Sequence, residues 1–229
     1  MRRMLLAIMV FGSAHALTAQ TVTLRAKPSF QAAETLSAND ITVPILCAAN
    51  GTVVLDAFIT ETGEVQKVEV RRDIACLTQH AVRAVEEWKF SPATVAGKSV
   101  RSRMPVTVVY CPAASFAGPV PLPALIPQSE AAIQAELQPA EVTRTAFPKY
   151  PVNTVVAGAV VLEVTLNEKG EPEEVKVLRD LPPLTAQAKA VVADCRFMPA
   201  TVNGNPVQSK IVLVFVSRPM VSLSDSAGP

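Results

Sequence analysis

A chain of 229 residues, 49% hydrophobic and 18% charged, can bury the core of one large domain or two small ones and is not a disordered tail. Its formal net charge of +1 supplies neither the electrostatic footprint of a nucleic-acid binder nor a polybasic membrane patch, so neither partner is expected.

Residues 1–19 read as a secretory signal: Arg2 and Arg3, an apolar run over 4–11, then Ala14-His15-Ala16 as an A-x-A site, with a second possible cut after Ala19. The apolar run is shorter than the roughly 20 residues of a spanning helix, so the signal is expected to be cleaved and the chain exported. Only an uncleaved signal would leave it membrane-anchored. A short helix is expected over residues 29–36, and another over 129–137 capped by Ser129.

The dominant feature is an internal repeat. Residues 51–109 align without a gap on residues 158–216, 107 positions later, with 24 of 59 identical. In "GTVVLDAFI" Val53, Leu55, Ala57 and Ile59 alternate as one face of a strand. "GAVVLEVTL" repeats this with Val160, Leu162, Val164 and Leu166, leaving Val161, Glu163 and Thr165 to face outward. Gly63 and Gly170 mark hairpin loops that need positive φ, after which Val68 and Val70, or Val175 and Val177, carry the returning strand. The period then becomes helical: Leu77, Ala81, Ala84, Val85 and Trp88 share a face, as do Leu184, Ala188, Val191, Val192 and Cys195. Trp88 and Cys195 therefore read as core fillers. Phe90 and Phe197 close the helices, Pro92 and Pro199 stop them, and Gly97 and Gly204 turn the chain into a third strand. The expected fold class is α+β: two tandem β-β-α-β domains, each a three-stranded antiparallel sheet with one packed helix. Their expected bounds are 40–111 and 141–218, joined by a Pro-rich extended linker over 112–140 and followed by a flexible tail over 219–229.

"FPKYP", "GAVVLEVTLNEKGEPEEVKVLRD" and "CRFMPATVNGNPV" together resemble the C-terminal domain of TonB-family energy transducers. The residues that carry the resemblance are Tyr150, Pro151, Gly158, Gly170, Arg196, Phe197, Pro199, Ala200 and Gly204; the first copy matches from Gly51 and keeps only Pro44 of the Y-P lead-in. The resemblance implies a periplasmic module that binds an extended peptide of an outer-membrane transporter, or another envelope protein, by strand addition in support of energy-dependent transport. An alternative is a structural or adaptor module that self-associates through its edge strands as a homodimer, without energy transduction.

The resemblance places the partner on the last strand. In the second copy that strand is Lys210, Ile211, Val212, Leu213, Val214, Phe215 and Val216, with every N–H available; in the first copy Pro105 removes a donor and blunts it. Covering of this strand by the other copy, or by the tail over 217–229, is the competing expectation. The chain does not read as an enzyme. The mature part has one histidine, His80, and no Ser–His–Asp set, G-x-G-x-x-G or H-E-x-x-H, so no cofactor, metal or small-molecule substrate is expected. Arg72-Asp73 and Arg179-Asp180 read as local ion pairs or helix caps. Four cysteines without a C-x-x-C pair allow three pairings. In a hairpin Cys47 and Cys76 meet at one end of the sheet while Cys111 is expected at the other, so Cys47–Cys76 is the expected disulfide. Cys195 is then a buried free thiol or a partner for Cys111.

Overall fold

The computed structural model describes residues 29–44, 47–111, 118–122, 125–127, 137–150 and 156–218. The signal, Pro151, residues 129–136 and the tail lie outside these. The first copy runs β1 (Phe30–Gln31), β2 (Glu34–Ser37), β3 (Gly51–Ile59), β4 (Val65–Arg72), α1 (Thr78–Glu86), β5 (Lys89–Ser91), β6 (Ala93–Val95), β7 (Lys98–Val100) and β8 (Ser102–Tyr110). After β9 (Gly118–Pro121) the second copy repeats the series: β10 (Leu137–Gln138), β11 (Glu141–Phe147), β12 (Gly158–Leu166), β13 (Pro172–Arg179), α2 (Leu184–Val191), β14 (Arg196–Met198), β15 (Ala200–Val202), β16 (Asn205–Val207) and β17 (Ser209–Ser217).

The class is α+β, as the patterning implies, but each copy holds more than β-β-α-β. The segment expected as a helix over 29–36 is instead β1 and β2, which pair antiparallel with β6 and β5. Long-range pairing overrides a local capping signal here, and burial follows the strand period: Thr35 is buried while Leu36 is exposed. The repeat extends this far. Gln31, Ala33 and Glu34 recur as Gln138, Ala140 and Glu141 at the same spacing, in the equivalent strands β10 and β11. Leu137, expected to end a helix, starts β10. Phe90 and Phe197 do not close helices; they sit in β5 and β14, after the helical segments have ended. Within the expected spacer, Gly118–Pro121 forms a strand paired with β11.

The two three-stranded sheets are halves of one six-stranded sheet, in the order β13-β12-β17-β8-β3-β4. All its pairs are antiparallel except the central seam, where β17 runs parallel to β8 from Val212 opposite Val106 to Val216 opposite Tyr110. Val212 is the repeat counterpart of Pro105, so the seam is one residue out of step with the repeat. A one-residue step reverses the face each side chain occupies, so the two copies present their helices to opposite faces. On one face Leu77, Ala81, Val85 and Trp88 of the first copy share a core with Val212, Val214 and Val216 of the second. On the other, Leu184, Ala188, Val191 and Cys195 share a core with Ile211, Leu213 and Phe215, joined by Val54 and Val109 of the first copy.

Candidate partner-binding edges

Lys210 to Val216 is not an edge. Each of these residues is paired with β12, and Val212–Val216 are also paired with β8. Ile211, Val212, Leu213 and Val214 are fully buried, and Phe215 and Val216 are 2% exposed. A strand apolar on both faces buries both faces, and here each face receives the helix layer of a different copy. Pro105 does not blunt an outer strand either: β8 is central, and its parallel pairing begins one residue later, at Val106.

The side chains expected to face outward are roofed by the other copy. Glu163, 1% exposed, accepts the Thr35 backbone N–H at Oε2 (2.6 Å) and the Lys210 ammonium at Oε1 (3.2 Å). Lys210 also bonds Glu34 of β2. Burial depresses the Lys210 pKa, but its bonds to Glu34 and Glu163 and their charges outweigh that and raise it overall. The Lys210 hydrogen bond and charge hold the Glu34 carboxyl below its ordinary range. The repeat counterparts of Glu34 and Glu163 are Glu141 and Asp56, and they meet in a second cluster across the sheet, with Arg71 rather than Arg103, the counterpart of Lys210, bridging them. There Arg71 donates to Asp56 Oδ2 at 3.0 Å and lies 3.6 Å from Glu141 Oε1 on β11. Burial pushes the Asp56 carboxyl up, against the downward pull of Arg71. Further along the same two strands the Thr145 and Thr52 hydroxyls meet at 3.2 Å. Thus β2 of the first copy covers the second copy's strands, and β11 of the second covers the first's.

The outer strands of the sheet are β4 and β13. At β4 the carbonyl of Arg71 accepts the Ile126 N–H (2.8 Å) and Arg71 Nε donates to the Ile126 carbonyl (2.7 Å), so the connecting segment already holds that edge. Strand β13 pairs with β12 alone among the described residues.

The motif residues of the second copy make bonds and packing contacts within the fold. Tyr150 donates to the Val156 carbonyl (2.7 Å). Arg196 Nη1 donates to the carbonyls of Ala193 (2.8 Å) and Cys195 (2.7 Å), tying off the turn after α2. Phe197 and Ala200 are buried with α2, and Pro199 separates β14 from β15. Gly158 opens β12, opposite Ser217. Gly170, at φ +80°, has no room for a side chain: a Cβ there would lie 2.6 Å from the Phe197 carbonyl oxygen. Gly204 follows Asn203 in the β15–β16 turn, both at positive φ. Neither Asp73 nor Asp180 caps a helix; neither helix has a side-chain cap, and Thr78 and Thr185 instead accept the N–H groups of Ile74 (2.8 Å) and Leu181 (2.7 Å) in the turns that lead into them. Arg179 pairs with Asp40, not Asp180, at 3.0 Å.

Cys47 and Cys76 form a disulfide with Cα atoms 5.8 Å apart. Cys111 is not at the opposite end: Tyr110 stands opposite Gly51, because the third strand runs antiparallel to the first and returns to its start. Cys111 and Cys195 are free and buried, and burial pushes their thiol pKa values up to about 12 and about 11. Trp88, 1% exposed, fills in the first copy the place that Cys195 fills in the second.

Among the described residues no helix is long and apolar enough to cross a membrane. No curated protein and no solved structure matches the chain. The family model described as Gram-negative bacterial TonB protein C-terminal matches twice, over residues 47–111 and 143–216, the two halves of the six-stranded sheet. That family is envelope-associated and made of protein-interaction domains rather than enzymes. With more than half of its length matched, this chain belongs to the TonB C-terminal family and carries its domain in two tandem copies.

Proposed function

We propose that the chain is a periplasmic interaction module that binds an extended segment of an outer-membrane transporter by strand addition, in support of energy-dependent transport. One observation carries this reading: two family domains merge into an open sheet whose outer strand β13 has an unpaired side among the described residues, in a family of interaction domains. An open strand edge offers N–H and C=O groups in the spacing an extended peptide needs. The last strand, where the resemblance would put the partner, is engaged in the seam, so docking in this conformation uses an outer strand. The reading is tested with immobilised full-length chain and the N-terminal extended segments of outer-membrane transporters from a Gram-negative host. Saturable capture that is lost when the segment's central residue becomes proline supports it; no capture of any segment ends it.

A second reading is an envelope module with no role in energy transduction, and the seam favours it, because the copies already satisfy each other's last strands. Light scattering across a concentration series separates the two. Dimerisation through β13 with no transporter binding would favour this second reading. For localisation, the intact mass of the periplasmic fraction under non-reducing conditions reads both signal removal and the disulfide; a full-length mass in the membrane fraction would replace the periplasmic module with an anchored one.

A further inference from the structure

The two copies treat their outer strands differently at one matched position. In both, the outer strand carries a register break before its last residue: Val70 and Arg72 stand opposite Leu55 and Val54, leaving Arg71 between them, and Val177 and Arg179 stand opposite Leu162 and Val161, leaving Leu178 between them. Such a break turns one residue's backbone out of the ladder. At Arg71 the carbonyl so presented is met by the N–H of Ile126, in a Leu-Ile-Pro stretch of the connecting segment. At Leu178, its counterpart, no hydrogen bond to a further strand or segment is found among the described residues. Beside it lies an open groove of about 570 Å³ between β13 and α2, lined by Val177, Leu178, Pro182, Pro183, Ala186 and Lys189.

We infer that β13 and this groove are a docking site for an extended aliphatic segment with a flanking proline, supplied by a partner protein. The segment's aliphatic residue donates its N–H to the Leu178 carbonyl, as Ile126 does to the matched carbonyl in the first copy. There the Arg71 side chain adds a second bond and the Ile126 side chain stays 52% exposed; at Leu178, which has no such donor, the hold comes from the groove, where the segment's side chain sits between Val177 and Ala186. Proline beside it costs no needed donor and presets an extended backbone. Glu173 and Glu174, exposed at the start of β13, favour a basic residue further along the segment. This rests on the reading of the chain as a strand-addition module and names its edge.

The probe is the peptide Pro-Leu-Pro-Ala-Leu-Ile-Pro-Gln, the sequence of residues 121–128, titrated into the isotopically labelled full-length chain. Amide shifts are expected in residues 175–179 and 186–189. Methylation of the isoleucine nitrogen, which removes the donor, is expected to weaken binding at least tenfold. So is Ala186→Arg, a change at an exposed helix position that fills the groove without touching the core. Absence of shifts, shifts confined to β4, or equal affinity for the methylated peptide and for Ala186→Arg overturns the inference. Transporter segments are run on the same two proteins. If they bind both equally, the transporter reading stands and this edge is wrong; if they bind neither while the probe binds at β13, the edge stands and the transporter reading fails.

Discussion

Gly170 shows how much one residue of the repeat carries. Its φ of +80° strains any L side chain, and the Phe197 carbonyl stands where a Cβ would go. Gly170→Ala is therefore expected to cost about 1–3 kcal/mol, read as a lower urea midpoint at unchanged slope. The β6–β7 turn makes the opposite point. Ala96 sits at φ +51° before Gly97, where the second copy has Asn203. Asn tolerates that region better, so Ala96→Asn should raise stability by about 0.5–1 kcal/mol in the same melt. The free thiols are a chemical test of burial. With pKa values of about 12 and about 11, Cys111 and Cys195 expose roughly one thiolate in a thousand or fewer at pH 8. Iodoacetamide should label neither in the native oxidised chain, both after unfolding, and all four cysteines once the chain is also reduced; rapid native labelling would contradict the burial. These residue-level roles were largely legible. Hairpin glycines and the Trp88/Cys195 core position follow from spacing within one copy, where near neighbours in sequence are near neighbours in space; the Cys47–Cys76 bridge does not, because Cys111 lies at the same end of the sheet. Asp56 and Glu163 were legible only as charges interrupting apolar strands. Their partners come from segments far away in the chain, which no periodicity encodes.

At the scale of elements, the two covering strands decide which side chains are inside. Strand β2 ties to the second copy through Glu34, Lys210 and Glu163, and the pH dependence of that tie has a defined sign. The Glu34 pKa is lowered on folding, so its contribution is present above the ordinary carboxyl value of 4.5 and lost as pH falls below it; the Lys210 pKa is raised, so its contribution is present below the ordinary 10.5 and lost above it. Glu34→Gln should therefore lower stability between those limits and converge with the parent at more acidic pH. The carboxylate is half exposed, so the effect is no more than about 1 kcal/mol. A gap that persisted below pH 3 would show that the substitution acts by something other than charge. Strand β2 is the element least legible in the sequence. Residues 29–36 lack the length for their period to be read, and their state is set by pairing with β5 and β6, some 60 residues on. The clue present in the sequence was the recurrence of Gln31, Ala33 and Glu34 at the repeat spacing, beyond the stretch where identity is dense.

For the whole molecule, the seam makes one body of two domains. Its strands are apolar on both faces, and each copy's covering strand bonds to the other, so the covalent link between the copies is not what holds them together. A protease site inserted between residues 128 and 136 and then cut should leave halves that co-migrate in gel filtration, since the disulfide lies wholly within the first half and cannot join them. Separation of the halves in native buffer would refute the shared sheet. Leu213→Ala, at the centre of the seam, should cost about 2–5 kcal/mol and unfold both halves in one transition.

The duplication, the strand and helix periods and the turn glycines were determined by the sequence itself, because each is a local pattern or a pattern repeated at a constant spacing. Which strand is an edge was decided only by the tertiary structure. Lys210–Val216 reads as a last strand with free donors within one copy, and nothing local says that β8 lies alongside it. The deciding quantity is a one-residue register between two chain segments over a hundred residues apart, and it is set by the total apolar surface that both faces of the sheet bury together.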